Sequence, residues 1–284
     1  MARTLLVLAA LAGLLIGGTA MAGTTAEEPK DVHWTFEGPF GHYDQAQLQR
    51  GYKVYHEVCS SCHSMNLVAF RNLGDPGGPF WDPKFPNSNN NPYVKAIIAD
   101  FKVSDVDHDT GDVIKRPATT ADHLVAPFAN EYAARASNGG AYPPDMSLLV
   151  KAREGGAAYV YSIVTGFPAA PPAGLTVPPG KYYNPYMPGD LTSFWHGAGP
   201  VPVGGFISMP PPLSVGHVSF DDAKPGTKAT VEQQAADVAA FLTWAGDPKM
   251  EERKSTGFPV MIFLLIFAGV VYASYRTIWR KVGH

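Results

Sequence analysis

The sequence predicts a mainly α fold: short helices joined by long irregular loops, closing on one C-terminal transmembrane helix. Three observations carry that prediction. Phe258 to Trp279 is apolar except for Ser274, Arg276 and Thr277, and at about 1.5 Å per residue it covers a ~30 Å hydrocarbon core. Two upstream stretches place apolar residues at helical spacing. Between them, proline and glycine are too dense for long regular elements.

Taken in order, Met1 to Ala22 reads as a secretory signal. Arg3 is the positive start, Leu5 to Ile16 the apolar centre, and Ala20-Met21-Ala22 a small-residue cleavage site. Residues 23–41 form an extended lead-in. Asp44 then caps a helix, with Gln47 completing a capping box. Leu48, Tyr52, Tyr55 and Val58 make its apolar stripe, which runs directly into Cys59. Residues 74–92 hold five prolines, four asparagines and three glycines, the composition of a surface loop. Asp100 to Asp112 carries five Asp against one Lys and reads as a solvated excursion.

After Pro143-Pro144, Asp145 or Ser147 is placed to cap a helix through Arg153, and Ala157 to Val164 continues helical. From Gly166 to Gly216, twelve prolines and nine glycines in 51 positions exclude regular structure. The tyrosines there, with Phe194, Trp195 and Phe206, argue for an ordered loop. Thr230 to Trp244 is an amphipathic helix with Val231, Ala235, Val238, Phe241 and Leu242 on one side. In the terminal span, Tyr272, Tyr275 and Trp279 suit a membrane interface. The division expected is signal 1–22, one domain 23–257, anchor helix 258–279 and tail 280–284.

Charge narrows the partners. The domain carries 18 Lys and Arg against 25 Asp and Glu, a net of −7 with His neutral. That argues against nucleic acid and for a basic protein partner. Lys249, Arg253 and Lys254 before the span balance Arg276, Arg280 and Lys281 after it, so positive charge does not orient the anchor. The signal does, by sending the domain across the inner membrane into the periplasm. The chain has two cysteines, which excludes a disulfide scaffold.

Those two cysteines lie in Cys59-Ser60-Ser61-Cys62-His63, the attachment signature of haem c. Thiols one helical turn apart reach the two vinyl groups of one porphyrin, and the adjacent imidazole lies beneath the iron. A thioredoxin-like pair would follow a strand in a βαβ unit, whereas a helix leads in here. A zinc site needs further ligands, and no Cys remains to supply them. A sixth iron ligand is commonly Met in electron carriers. Of six methionines after Ala22, Met65 is too near His63, Met250 and Met261 adjoin or enter the span, and Met146 follows Pro143-Pro144-Asp145. Met187 and Met209 both lie in the Pro/Gly-rich loop, and spacing leaves both open, although Pro210-Pro211-Pro212 stiffens the chain after Met209. The other eight histidines stand in no motif.

Several motifs together resemble the cytochrome c1 family, the haem c subunit of the ubiquinol–cytochrome c reductase (cytochrome bc1) complex. They are Phe36-Glu37-Gly38-Pro39-Phe40-Gly41, Gln47 to Tyr52, Glu57 to Met65, Pro143-Pro144-Asp145, Tyr183-Asn184-Pro185, Met209 to Leu213 and Phe241 to Ala245, followed by the anchor. The resemblance implies a class I cytochrome c-like haem domain with thioether links at Cys59 and Cys62. His63 would be the proximal ligand and Met209 the distal one. Pro144 matches the proline whose carbonyl accepts the proximal imidazole proton, and Arg135 a position near a haem propionate. Gly51 would let the first helix cross close to the last, near Phe241 and Trp244. The implied partners are cytochrome b, the Rieske iron–sulfur protein as donor and a cytochrome c as acceptor. Alternatives are another anchored monohaem cytochrome, such as an oxidase subunit or shuttle, and a haem enzyme or gas sensor with an open sixth position.

Two departures from the family pattern stand out. Some bacterial relatives brace the loop before the distal Met with an extra cysteine pair, which this chain lacks, so proline and aromatic packing must hold the loop. Asp247-Pro248 also replaces the usual Glu-Pro, and Met146 the usual Leu.

Overall fold

The computed structural model describes residues 26–220 and 227–281, so the expected signal and the last residues of the tail lie outside the described residues. The core forms where helix α1 (Gln45–Glu57) crosses helix α5 (Val231–Gly246). Asp44 caps α1 by accepting the Gln47 N–H at 2.9 Å, and Thr230 caps α5 by accepting that of Gln233. Tyr52 and Tyr55 of α1 pack on Phe241 of α5, with ring centroids 5.7 and 5.8 Å away, and Leu48 is buried in the same core. Phe241 in turn stacks on Trp244, and both are buried. Full burial of side chains this large stabilises by about 1.5–3 kcal/mol each.

The crossing also buries an ion pair. Arg50 grips Asp237 through Nε at 2.7 Å and Nη2 at 2.9 Å, and Gln233 donates to the same carboxylate. The guanidinium lies 5.9 Å from the Phe220 ring, which covers its other side.

Around this pair stand α2 (Pro92–Ala99), α3 (Glu131–Ser137) and α4 (Gly156–Thr165), the last packed on α5. The loop between α1 and α2 is irregular as expected, with short 3-10 turns at Phe70–Gly74 and Ser88–Asn90. Asn91 closes it by capping α2 and donating to the Phe80 carbonyl at 2.7 Å.

Three expectations are corrected. The acidic stretch after Asp100 is a β-hairpin, β1 (Lys102–Val106) against β2 (Val113–Pro117), with Val106 opposite Val113. Its faces are mostly exposed, so no apolar alternation announces it. Asp145 to Arg153 forms successive turns rather than a helix, because the Asp145 carboxylate bonds a distant segment as well as Ser147 N–H. The Pro/Gly-rich loop contains a short ladder, β3 (Tyr182–Asn184) against β4 (Gly205–Ile207).

Helix α6 runs from Met250 to Trp279 and passes through Pro259. Its first turns belong to the domain. Met250 is buried, Glu251 accepts the Tyr43 N–H at 2.7 Å, and Lys254 donates to the Phe36 carbonyl at 2.7 Å. Beyond them the helix is apolar and exposed all round, long enough to cross a membrane.

Candidate functional site

The attachment segment leaves α1 in a 3-10 turn, Cys59–Ser61. The Cys59 carbonyl accepts the N–H groups of Cys62 at 3.1 Å and His63 at 2.8 Å. That single turn sets both thiols and the imidazole on one short coil, and the thiols are not joined to each other. Tyr55, held in the core by Phe241, donates to the His63 carbonyl at 3.3 Å. The helix crossing is thereby tied to the motif. Burial, reinforced by Cys62, pushes the Cys59 thiol up to about 12, so it stays protonated at neutral pH.

The second half of the site arrives from 81 residues downstream, where the Pro144 carbonyl lies 2.8 Å from His63 Nδ1. A carbonyl only accepts, so Nδ1 carries the proton and Nε2 presents its lone pair. Burial lowers the imidazole's proton affinity, against the opposing influence of Pro144 and Asp145. The result is a neutral, oriented ring, the form a metal needs.

Beside Cys62 opens a cleft of about 240 Å³, walled on its apolar side by Ala126, Pro127, Phe128 and Pro143. A larger cavity of about 290 Å³, between Trp34, Tyr43 and Met250, contains none of the attachment residues. Arg135 stands on α3 at the rim of the cleft. It pairs with Glu131 at 2.7 Å, donates to the Gly140 carbonyl and lies 5.6 Å from the Tyr142 ring. Glu131 and Tyr142 both line the cleft.

Met209 is half-buried, just past β4. The cysteine-free loop that carries it is held by the β3–β4 ladder, by Phe194 against Phe206 at 5.1 Å, and by Lys181 bonding Ser208 at 2.7 Å. Gln234 of α5 ties the following segment down by donating to the Ser214 carbonyl at 3.0 Å. The other methionines among the described residues are engaged elsewhere. Met65, Met146 and Met250 are buried, Met261 lies in the long apolar helix, and the Met187 sulfur faces the Tyr159 hydroxyl at 3.9 Å.

One group was missed at the sequence level as part of the site. Asp145, read as a helix cap, instead accepts from Ser64 Oγ and Asn66 N–H, each at 2.8 Å. Its position immediately after Pro143-Pro144 was visible, but its partner segment was not.

Two thiols one turn apart and a neutral imidazole oriented through Nδ1, with a cleft of mixed polar and apolar lining beside Cys62, suit covalent attachment of a haem through Cys59 and Cys62. Bound there, the haem supplies a one-electron ferric/ferrous couple. Fold and site thus define a c-type cytochrome with a C-terminal membrane helix.

The chain matches the model of the Cytochrome C1 family over residues 34–282. It is 40% identical to the cytochrome c1 of Rhodospirillum rubrum, over 95% of this chain and 94% of that one. It is 41% identical to a cytochrome b/c1 of Bradyrhizobium diazoefficiens over 98% of this chain, which spans only 40% of that longer protein. A mitochondrial cytochrome b-c1 complex catalytic subunit of Candida albicans is 40% identical over 87% of this chain and 76% of its own length. The chain belongs to the cytochrome c1 family, whose members carry one covalent haem c and transfer electrons without being enzymes by themselves.

Proposed function

We propose that the chain is the haem-bearing subunit of a cytochrome bc1 complex. It takes electrons from the Rieske iron–sulfur protein and delivers them to a cytochrome c, with the iron ligated by His63 and Met209. The observation that carries the reading is the His63 ring, fixed through Nδ1 on the Pro144 carbonyl one residue after the paired thiols. Support for Met209 comes from the engagement of the other described methionines, Met187 with Tyr159 among them. Held by His63 and Met209, the iron would have no open position for a substrate and would have a raised potential, which suits a late carrier. Arg135 is assigned to the propionate edge, at the cleft rim.

The names of two relatives place those proteins in a b–c1 assembly, and cytochrome b is the partner assigned here to helix α6. The haem domain is assigned to the periplasmic side of the inner membrane, following export by residues 1–22. A cytochrome acceptor with a basic face would be drawn to the net −7 domain, an influence that salt screens over ~8–10 Å.

Met209→Leu tests the ligand assignment. It preserves size and apolarity, so packing changes by less than ~1.5 kcal/mol, while the thioether is removed. The variant should keep its haem, lose the six-coordinate low-spin spectrum, show a lower potential and bind carbon monoxide when reduced. Met187→Leu should do none of this. The reverse pattern, or silence in both variants, would overturn the Met209 assignment.

A further inference from the structure

We propose that Asp145 is the positioning residue of the proximal side, its carboxylate holding the Pro144 carbonyl against His63. The inference rests on His63 being the proximal iron ligand. The Pro143-Pro144 pair contributes no backbone N–H, so it lacks the usual means of tying its own segment to a neighbour. Pro144 is itself exposed, so burial of its own ring does not anchor it. The first residue able to anchor that carbonyl is therefore the next one.

Asp145 meets this need with three bonds from one carboxylate. Oδ2 accepts from Ser64 Oγ at 2.8 Å and from Asn66 N–H at 2.8 Å, on the segment just past His63. Oδ1 accepts the Ser147 N–H at 2.8 Å and closes its own turn. Two flanking bonds extend the seam, Met146 N–H to the Ser64 carbonyl at 2.8 Å and Leu67 N–H to Ser147 Oγ at 3.0 Å. Ser64, Met146 and Ser147 are buried, Asp145 is half-buried, and Asn66 and Leu67 at the outer end of the seam are exposed. Burial works to raise the Asp145 carboxyl, and the bonds from Ser147, Asn66 and Ser64 outweigh it, holding the group below the ordinary carboxylate range. It is ionised at neutral pH and accepts all three bonds strongly.

Two consequences for the haem iron follow, and they act in the same direction. A well-held Nδ1–H···O bond gives the imidazole more anionic character, and the nearby carboxylate adds negative potential. Both favour the ferric state. Removing Asp145 should therefore raise the midpoint potential and loosen the Nδ1 proton.

The test uses the full haem-loaded chain in detergent, labelled with ¹⁵N only in its nine histidines. Exchange of the His63 Nδ1 proton with D2O is followed in the reduced state, alongside the midpoint potential. Asp145→Ala should speed exchange at least tenfold and raise the potential. Asp145→Asn keeps one acceptor oxygen without the charge, so the potential should rise with a smaller gain in exchange. Ser64→Ala removes one bond and no charge, so exchange should quicken and the potential should rise, but by less than in either Asp145 variant. If Asp145→Ala fails to mature, the other two variants decide. Parent-like exchange in the variants that mature, or a potential that does not rise when the carboxylate is lost, overturns the proposal. If His63 is not the ligand, the parent's oxidised spectrum will lack hyperfine-shifted His63 ring resonances, a failure visible before any variant is made.

Discussion

Gly51 of α1 lies directly against the Asp237 carbonyl of α5, so close that a β-carbon at Gly51 would stand 2.6 Å from the Phe241 β-carbon. Glycine is needed here for approach, since its backbone is ordinary helix. In an open helix, Gly→Ala would gain ~0.5–1 kcal/mol. Here the obstacle is partly backbone and cannot rotate aside, so crowding of ~1–3 kcal/mol should outweigh the gain. Gly51→Ala is expected to lower the urea midpoint of the haem-loaded protein, a net loss of about 1–2 kcal/mol. An unchanged or higher midpoint would contradict the crossing described.

The Arg50–Asp237 pair predicts an order of damage. The Asp237 side chain is fully buried, while 15% of the Arg50 side chain reaches the surface. Losing one partner of a buried pair costs ~3–5 kcal/mol because the other charge is stranded. Arg50→Met should therefore be costlier than Asp237→Leu, since arginine has a path to water. The double variant should recover most of the loss. Chemical denaturation of all three decides the matter, and strictly additive losses would count against it.

The root of α6 is structural as well as a stem for the membrane span. Truncation after Gly257 keeps Met250, Glu251 and Lys254 on the domain and should yield a soluble, haem-loaded protein. Truncation after Lys249 removes those contacts and should cost ~2–5 kcal/mol, the range for emptying a buried Met site. Equal urea midpoints for the two truncations would show that the root adds nothing. Persistent membrane attachment of the longer one would refute the anchor.

A pH dependence follows from the hairpin. Arg116 donates to Asp122 through two bonds of 2.7 and 2.8 Å, and Thr119 adds two more. The Arg116 bonds hold the Asp122 carboxyl well below the usual range; burial opposes them, and the Thr119 bonds add to them. A group depressed on folding stabilises above its unfolded value of ~3.9 and loses that contribution as pH falls below about 4. Asp122→Asn should be less stable than the parent at pH 6, with the difference shrinking toward pH 2. Parallel stability curves would rule the linkage out.

Much of the site was legible because its chemistry is local. Cys59, Cys62 and His63 fall within one turn, so spacing alone brings the thiols and imidazole together. The capped stripes of α1 and α5 and the long apolar run were equally readable, since helical periodicity and length are properties of a single segment. The Pro144 carbonyl was expected through family resemblance, and it lies 2.8 Å from His63 Nδ1.

Other features depended on partners remote in sequence. The hairpin at 102–117 was hidden because its residues are mostly exposed and polar at the tip, so pairing rather than burial shapes it. Asp145 carried the mark of a helix cap, and only the arrival of Ser64 and Asn66 turned its carboxylate into a clamp. The apolar run places the anchor helix at 258–279, yet α6 begins at Met250, where Tyr43 and Phe36 receive its first turns. Residue spacing within a few turns was enough for the attachment motif, the two capped amphipathic helices and the apolar span, whereas the crossing of those helices was expected only through the family resemblance. Which charge faces Arg50 and where α6 takes root became visible only in the folded chain, because those bonds join segments 187 and 208 residues apart.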